Sequence, residues 1–147
     1  MCVTIFKQVI VSGQLDYSDK QVQEDILNVI TSLENTTFIE PRFTDNWLEL
    51  FLGYIKRQEE GGITFDISTE EKFISEIHNY FRDRIKDIDF SDDGKHIVGT
   101  RFMIQGTNIK DANQEKEFVE ELRAVCEATS YDVYVFHPLF IYFDQVK

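Results

Sequence analysis

Between Lys95 and Gln145 the hydrophobic period changes twice, and that alternation limits what the chain can become. His96 to Thr107 reads as a long strand, with Val98, Phe102 and Ile104 on one side and Ile97, Arg101 and Met103 on the other. Asp111 or Asn113 then opens a helix whose buried stripe is Phe118, Leu122, Val125 and Cys126. Tyr131 to His137 reads as a second strand, stopped by Pro138.

Residues 1–40 look like a degenerate copy of the same unit. Val3 to Ser12 has Val3, Ile5, Val9 and Val11 on one face and Phe6 and Ile10 on the other. Apolar residues on both faces predict a central strand covered on both sides. Ser18 is the expected N-cap of the next helix, with Gln21 completing a capping box. Val22, Ile26, Val29, Ile30 and Leu33 form its stripe, and Thr36 to Glu40 predicts a short strand ended by Pro41.

Residues 41–94 predict two more helices. The first opens at Thr44 or Asp45 and contains NWLELFLGYIKRQ, apolar nearly all round, before Gly61-Gly62 breaks it. The second is expected to be capped by Ser68, with Glu71 in its box. Its stripe is Phe73, Ile77, Tyr80 and Phe81, joined by Ile74, Ile85 and Ile88. SDDGK at Ser91 to Lys95 is a turn. The order predicts an α+β chain, a ferredoxin-like split βαβ fold with two inserted helices between the halves. Its expected parts are a first half at 1–40, a helical insertion at 41–94, a second half at 95–137 and a terminal segment at 138–147. The two stripe helices cover one sheet face. The other face needs the inserted helices or another domain.

Composition excludes several classes of function. A chain of 147 residues with 42% hydrophobic residues can bury a core, and it is too apolar for disorder despite a net charge of −12. A pI near 4.6 argues against nucleic acid and against a polybasic grip on anionic lipid. No apolar run reaches the roughly 18 residues of a membrane helix. The N-terminus alternates like a strand and lacks the features of a signal peptide. Cys2 and Cys126 make no disulfide or metal framework, and Cys126 is expected to pack as a buried thiol. His78, His96 and His137 are scattered without ligand spacing, so no metal or other cofactor is expected. There is no nucleophile elbow, phosphate-cradling loop or dinucleotide fingerprint, and no catalytic activity is expected. An acylphosphatase-type site would want an Arg after the first strand, where this chain has SGQLDYSD. Arg101 is read as pairing with a carboxylate or reaching an edge. Asn35-Thr36-Thr37 is an N-glycosylation sequon if the chain enters the secretory pathway.

The terminal FHPLFIYFDQV crowds Phe136, Leu139, Phe140, Ile141, Tyr142 and Phe143 into eight residues. Read from its residues, it is either plain core or the aromatic approach to a bilayer.

The stretch TRFMIQGTNIKDANQEKEFVEELRAVCEATSYDVYVFHPLFIYFDQ resembles the end of the second large extracellular loop of Patched-related and Patched domain-containing proteins. QVIVSGQLDYSDKQVQEDI resembles the start of that loop, NWLELFLGYIK its W-L-x-x-F helix, and DFSDDGKHIVGTRF its approach to the third strand. The likeness runs from Val3 to Gln145 in order; each motif is short, and the ordered set of four is the specific part. It implies membership of the resistance–nodulation–division superfamily, with Patched, Dispatched and the Niemann–Pick type C sterol transporters as distant relatives. It also implies a porter-like domain outside the membrane, on the extracellular face of the plasma membrane or in a lumen, packed against a sister ectodomain. His137 to Gln145 would be the neck entering a membrane helix, with Phe140, Tyr142 and Phe143 nearest the membrane.

From the resemblance the expected function is non-catalytic. The domain would line or gate a sterol or other lipid path, or bind an extracellular protein. Trp47, Phe51, Tyr54 and Ile55 are the candidates to face that partner or lipid; ordinary core packing is the competing expectation for them. The membrane helices of a whole transporter are absent from this sequence, so an excised ectodomain or a short gene product is expected, soluble in isolation. The alternative is a stand-alone interaction or oligomerisation module with the same fold and an unrelated function.

Overall fold

The alternation read over residues 3–12 and 96–107 becomes the two long strands of one sheet. The computed structural model describes residues 3–136, with side chains from Ile5 onward. Its elements are β1 (Val3–Leu15), α1 (Lys20–Glu34), a 3-10 turn (Pro41–Phe43), α2 (Trp47–Glu60), α3 (Glu70–Tyr80), a second 3-10 segment (Arg82–Asp87), β2 (Ile88–Phe90), β3 (Ile97–Ile109), α4 (Ala112–Ala128) and β4 (Asp132–Phe136). The four strands form an antiparallel sheet in the order β2-β3-β1-β4, the order of a ferredoxin-like split βαβ fold. The α+β class expected from the sequence is the one observed.

The second strand is not where the sequence puts it. Thr36 to Glu40 forms no strand, only an isolated bridge between Ile39 and Gly106. The segment does lie along β3: Thr107 N–H donates to the Phe38 carbonyl at 2.7 Å, and Glu40 N–H to the Gln105 carbonyl at 2.9 Å. Pro41, which has no N–H, then starts the 3-10 turn and interrupts the ladder. Pairing resumes only at Asp45, which exchanges two backbone hydrogen bonds with Met103. The second strand is instead Ile88–Phe90, so α2 and α3 fall between α1 and β2 in the chain.

One register detail also differs. Ile88 pairs with Thr100 and Asp89 with Gly99, but Phe90 pairs with Ile97, so the ladder shifts at Val98. A bulge of this kind reverses the side-chain alternation. It buries Ile97 completely and leaves Val98 only partly covered, where strict alternation from Phe102 would bury Val98.

Three of the four helix starts fall one or two residues from the expected places. The Asp19 carboxylate accepts from Gln21 N–H at 2.9 Å at the start of α1. Ser18 instead donates both its N–H and its hydroxyl to Asp16. Asn46, not Thr44 or Asp45, caps α2 through Glu49 N–H at 3.1 Å. Thr69, not Ser68, caps α3 through Lys72 N–H at 3.2 Å. Asp111 caps α4 through Gln114 N–H at 2.8 Å, as one of the two expected residues.

The chain divides into two compact units. Unit 1 is Met1–Val11, Val29–Asp45 and Arg101–Lys147; unit 2 is Ser12–Asn28 and Asn46–Thr100. Unit 1 buries Val9, Val11, Leu33, Ile104, Phe118 and Leu122, among others. Phe118 meets Phe38 edge-on at 6.0 Å between ring centres. Gly106 makes room for it: a Cβ there would lie 2.6 Å from the Phe118 ring. Unit 2 buries Tyr17, Trp47, Leu48, Phe51, Phe73 and Ile77. The Tyr17 hydroxyl shares a buried hydrogen bond with Thr100 Oγ1 at 2.9 Å, and its ring lies 5.8 Å from Trp47.

Candidate functional site

The apolar helix around Trp47 was the first place in the sequence to look for a binding surface. The structure turns most of it inward. Trp47, Phe51 and Ile55 are buried within unit 2. Phe51 is held edge-on between Phe73 at 5.1 Å and Phe81 at 5.3 Å. Trp47 and Phe51 are core here, and a partner could reach them only by opening the unit; Ile55 is buried at the edge of that core. Tyr54 is half-buried and remains accessible. It joins Phe65, Tyr80 and Phe81, with ring centres 5.9–6.1 Å away. Phe65 and Tyr80 pack edge-on at 4.9 Å, and Tyr80 is 49% exposed. Ile55 also lines an open groove of about 600 Å³ with Leu52, Phe65 and Ile67. Lys20, Lys56, Glu59 and Asp66 line the same groove.

The histidines are occupied structurally. His78 stacks on Phe90 at 5.0 Å, and His96 Nδ1 lies 3.2 Å from Glu70 Oε1. His137 lies outside the described residues, as do the neck residues Phe140, Tyr142 and Phe143. Among the described residues no three or more His, Cys, Asp or Glu side chains are grouped as metal ligands. Among the same residues no helix is long and apolar enough to cross a membrane. Cys126 is buried on α4, and burial there pushes its thiol pKa up. Arg101 on β3 is half-buried and engaged in interactions of its own. Asn35 is exposed just after α1, and Thr37 of the same sequon donates its hydroxyl to Glu121 Oε1 at 2.6 Å.

Unit 1 holds two features outside the expected site residues. The first is an uncovered aromatic face. On β1, Lys7, Val9 and Val11 are buried while Phe6 is 51% exposed. On β4, Val133 is buried while Tyr134 and Phe136 are each 41% exposed, with rings 5.3 Å apart. Alternation puts Phe6 opposite the side on which α4 packs, because Lys7 points at Phe118 of that helix. The sequence did show a second apolar set on β1, and it asked for a cover.

The second feature is Lys7. Its side chain is only 3% exposed, and its ammonium sits 5.7 Å from the centre of the Phe118 ring. Burial lowers its pKa, and the nearby Glu115 partly offsets that shift. Lys7 lines a cavity of about 420 Å³ together with residues of α4 and β4. A signal existed in the sequence. A period of two places Lys7 between Ile5 and Val9, on the face destined for the interior.

No protein-family model matches the chain.

Proposed function

We propose that the chain is a non-catalytic ectodomain of a Patched-like membrane protein that packs against a sister ectodomain. The observation that carries this reading is the uncovered aromatic face of unit 1, formed by Phe6, Tyr134 and Phe136. Three exposed aromatic side chains on neighbouring strands are the kind of surface that a partner domain covers. A ferredoxin-like α+β fold is also the arrangement expected of a porter-type loop domain. The four ordered sequence motifs supply the link to the Patched-related group.

In this reading the domain lines or gates a path for a sterol or another lipid, or binds an extracellular protein. Of the four candidates on α2, Tyr54 is the one on the accessible surface, with Tyr80 and Phe65 beside it. The domain faces the outside of the cell or a lumen. Exposed Asn35 then carries a glycan.

The test is to detect the native polypeptide with an antibody against this domain in fractionated cells. The expected result is a large band in the membrane fraction whose mobility changes after glycosidase treatment, with the change lost in Asn35→Gln. In the full-length protein, Phe6→Glu combined with Tyr134→Glu is expected to reduce cross-linking to the sister ectodomain. A soluble band near 17.3 kDa would sink this reading. The aromatic face would then belong to a free-standing interaction module, and the purified chain would self-associate through it.

A further inference from the structure

The cavity beside Lys7 is chemically asymmetric. Val119, Leu122 and Cys126 of α4 and Val133 and Val135 of β4 give it mainly apolar walls. One cation, Lys7, comes from β1 and is almost fully buried. Among the described residues no carboxylate or carbonyl hydrogen-bonds its ammonium; its neighbours are the Phe118 ring and, through space, Glu115. Arg123 and Glu127 are exposed and also line the cavity, one charge of each sign. The volume lies within the roughly 300–1,000 Å³ of small-molecule sites.

The Lys7 ammonium meets an aromatic ring rather than a carboxylate, so it keeps its capacity to pair with an anion. An apolar occupant alone would leave the ammonium without an anion. A polar anion alone would waste the valine and leucine walls. The geometry points to a binding site for a small anionic amphiphile, a carboxylate with a short aliphatic tail, whose head pairs with Lys7 and whose tail lies along α4 and β4. Carboxylate–ammonium pairing is a strong, charge-assisted hydrogen bond. This inference does not require the Patched-like reading: it rests on Lys7 and the α4 wall, although Tyr134 borders both the cavity and the exposed aromatic face.

The probe is decanoate, titrated into the purified chain below its micelle concentration by isothermal titration calorimetry. Decanol and decyltrimethylammonium serve as neutral and cationic controls of equal tail length. Saturable one-to-one binding of decanoate is expected, with decanol at least tenfold weaker and the cation weaker still. Lys7→Met keeps the stem's packing and removes the charge. It should lower decanoate affinity at least tenfold and leave decanol affinity unchanged. Val119→Trp, which fills the cavity, should abolish binding of both. Lysine labelled with carbon-13 at Cε gives a readout that does not depend on any variant folding, because decanoate should shift the Lys7 signal selectively. Equal affinity for decanoate and decanol, unchanged decanoate binding in Lys7→Met, a Lys7 signal that does not move, or no binding at all would each overturn the site.

Discussion

Gly106 shows how closely one position can be specified. Its hydrogen faces the Phe118 ring at a distance that a methyl group cannot share. Phe118 is fully buried and already packed on Phe38, so it has little room to retreat. Gly106→Ala is expected to destabilise the protein by about 1–3 kcal/mol in urea denaturation, as overpacking does. Lys7 makes the opposite kind of prediction. The unfolded chain holds its lysine proton up to the ordinary value of 10.5, whereas buried Lys7 releases it earlier. Unfolding therefore takes up a proton in the interval between the lowered folded value and 10.5. Stability should rise with pH across that interval. In Lys7→Met the rise should be missing, and denaturation curves of the two proteins across alkaline pH will show it. Neither residue's structural role was legible from the sequence. Gly106 sits in a run that reads as ordinary strand, and only the position of Phe118 on α4 makes it obligatory. Lys7 was visible as an interruption of an apolar face, but whether such a lysine reaches solvent depends on what covers the strand.

The helices were legible in number and in their buried stripes, because a stripe such as Ile26, Val29, Ile30 and Leu33 is fixed by periodicity. Their first residues were less legible, and the reason is local. In Asp16-Tyr17-Ser18 and in Asp66-Ile67-Ser68 the serine N–H and hydroxyl both donate to the aspartate two residues earlier. Each serine is thereby engaged, and the next residue, Asp19 or Thr69, becomes the cap. At α2 the choice between neighbours has a measurable consequence. Asn46 is buried and holds Glu49 N–H, so Asn46→Ala should cost about 1–2 kcal/mol. Thr44 Oγ1 is buried with no hydrogen-bond partner among the described residues, so Thr44→Val should be neutral or stabilising by about 1 kcal/mol. Thermal melts of the two variants should move in opposite directions or leave the second unchanged. Further along α2, Phe51→Ala removes a ring enclosed by Phe73 and Phe81 and should cost about 3–5 kcal/mol. An amphipathic count cannot tell such a core helix from an interface helix, since both are apolar on more than one side. That is why Trp47, Phe51 and Ile55 could be read either way until their burial was seen.

The strand order followed from the sequence because two long alternating runs, each leading into a striped helix, have few ways to share a sheet. The edge strand did not. Thr36 to Glu40 has the composition of a strand and even lies beside β3, but Pro41 ends its pairing after a single bridge. The three-residue strand Ile88–Phe90 carries too little pattern to compete with it on paper. The division into two units has a consequence for how the chain can be cut. Each unit is assembled from separated segments: three for unit 1, two for unit 2. A break at the exposed Gly61-Gly62 linkage would leave residues 12–28 and 46–61 on one fragment and 62–100 on the other. It would likewise separate 1–11 and 29–45 from the segment that begins at Arg101. Neither fragment would own a complete core, so each alone should be unstructured by circular dichroism. Mixed in equal amounts, they should regain the spectrum of the intact chain. A protein built this way behaves as a split reporter, folding only when both halves of its message are present.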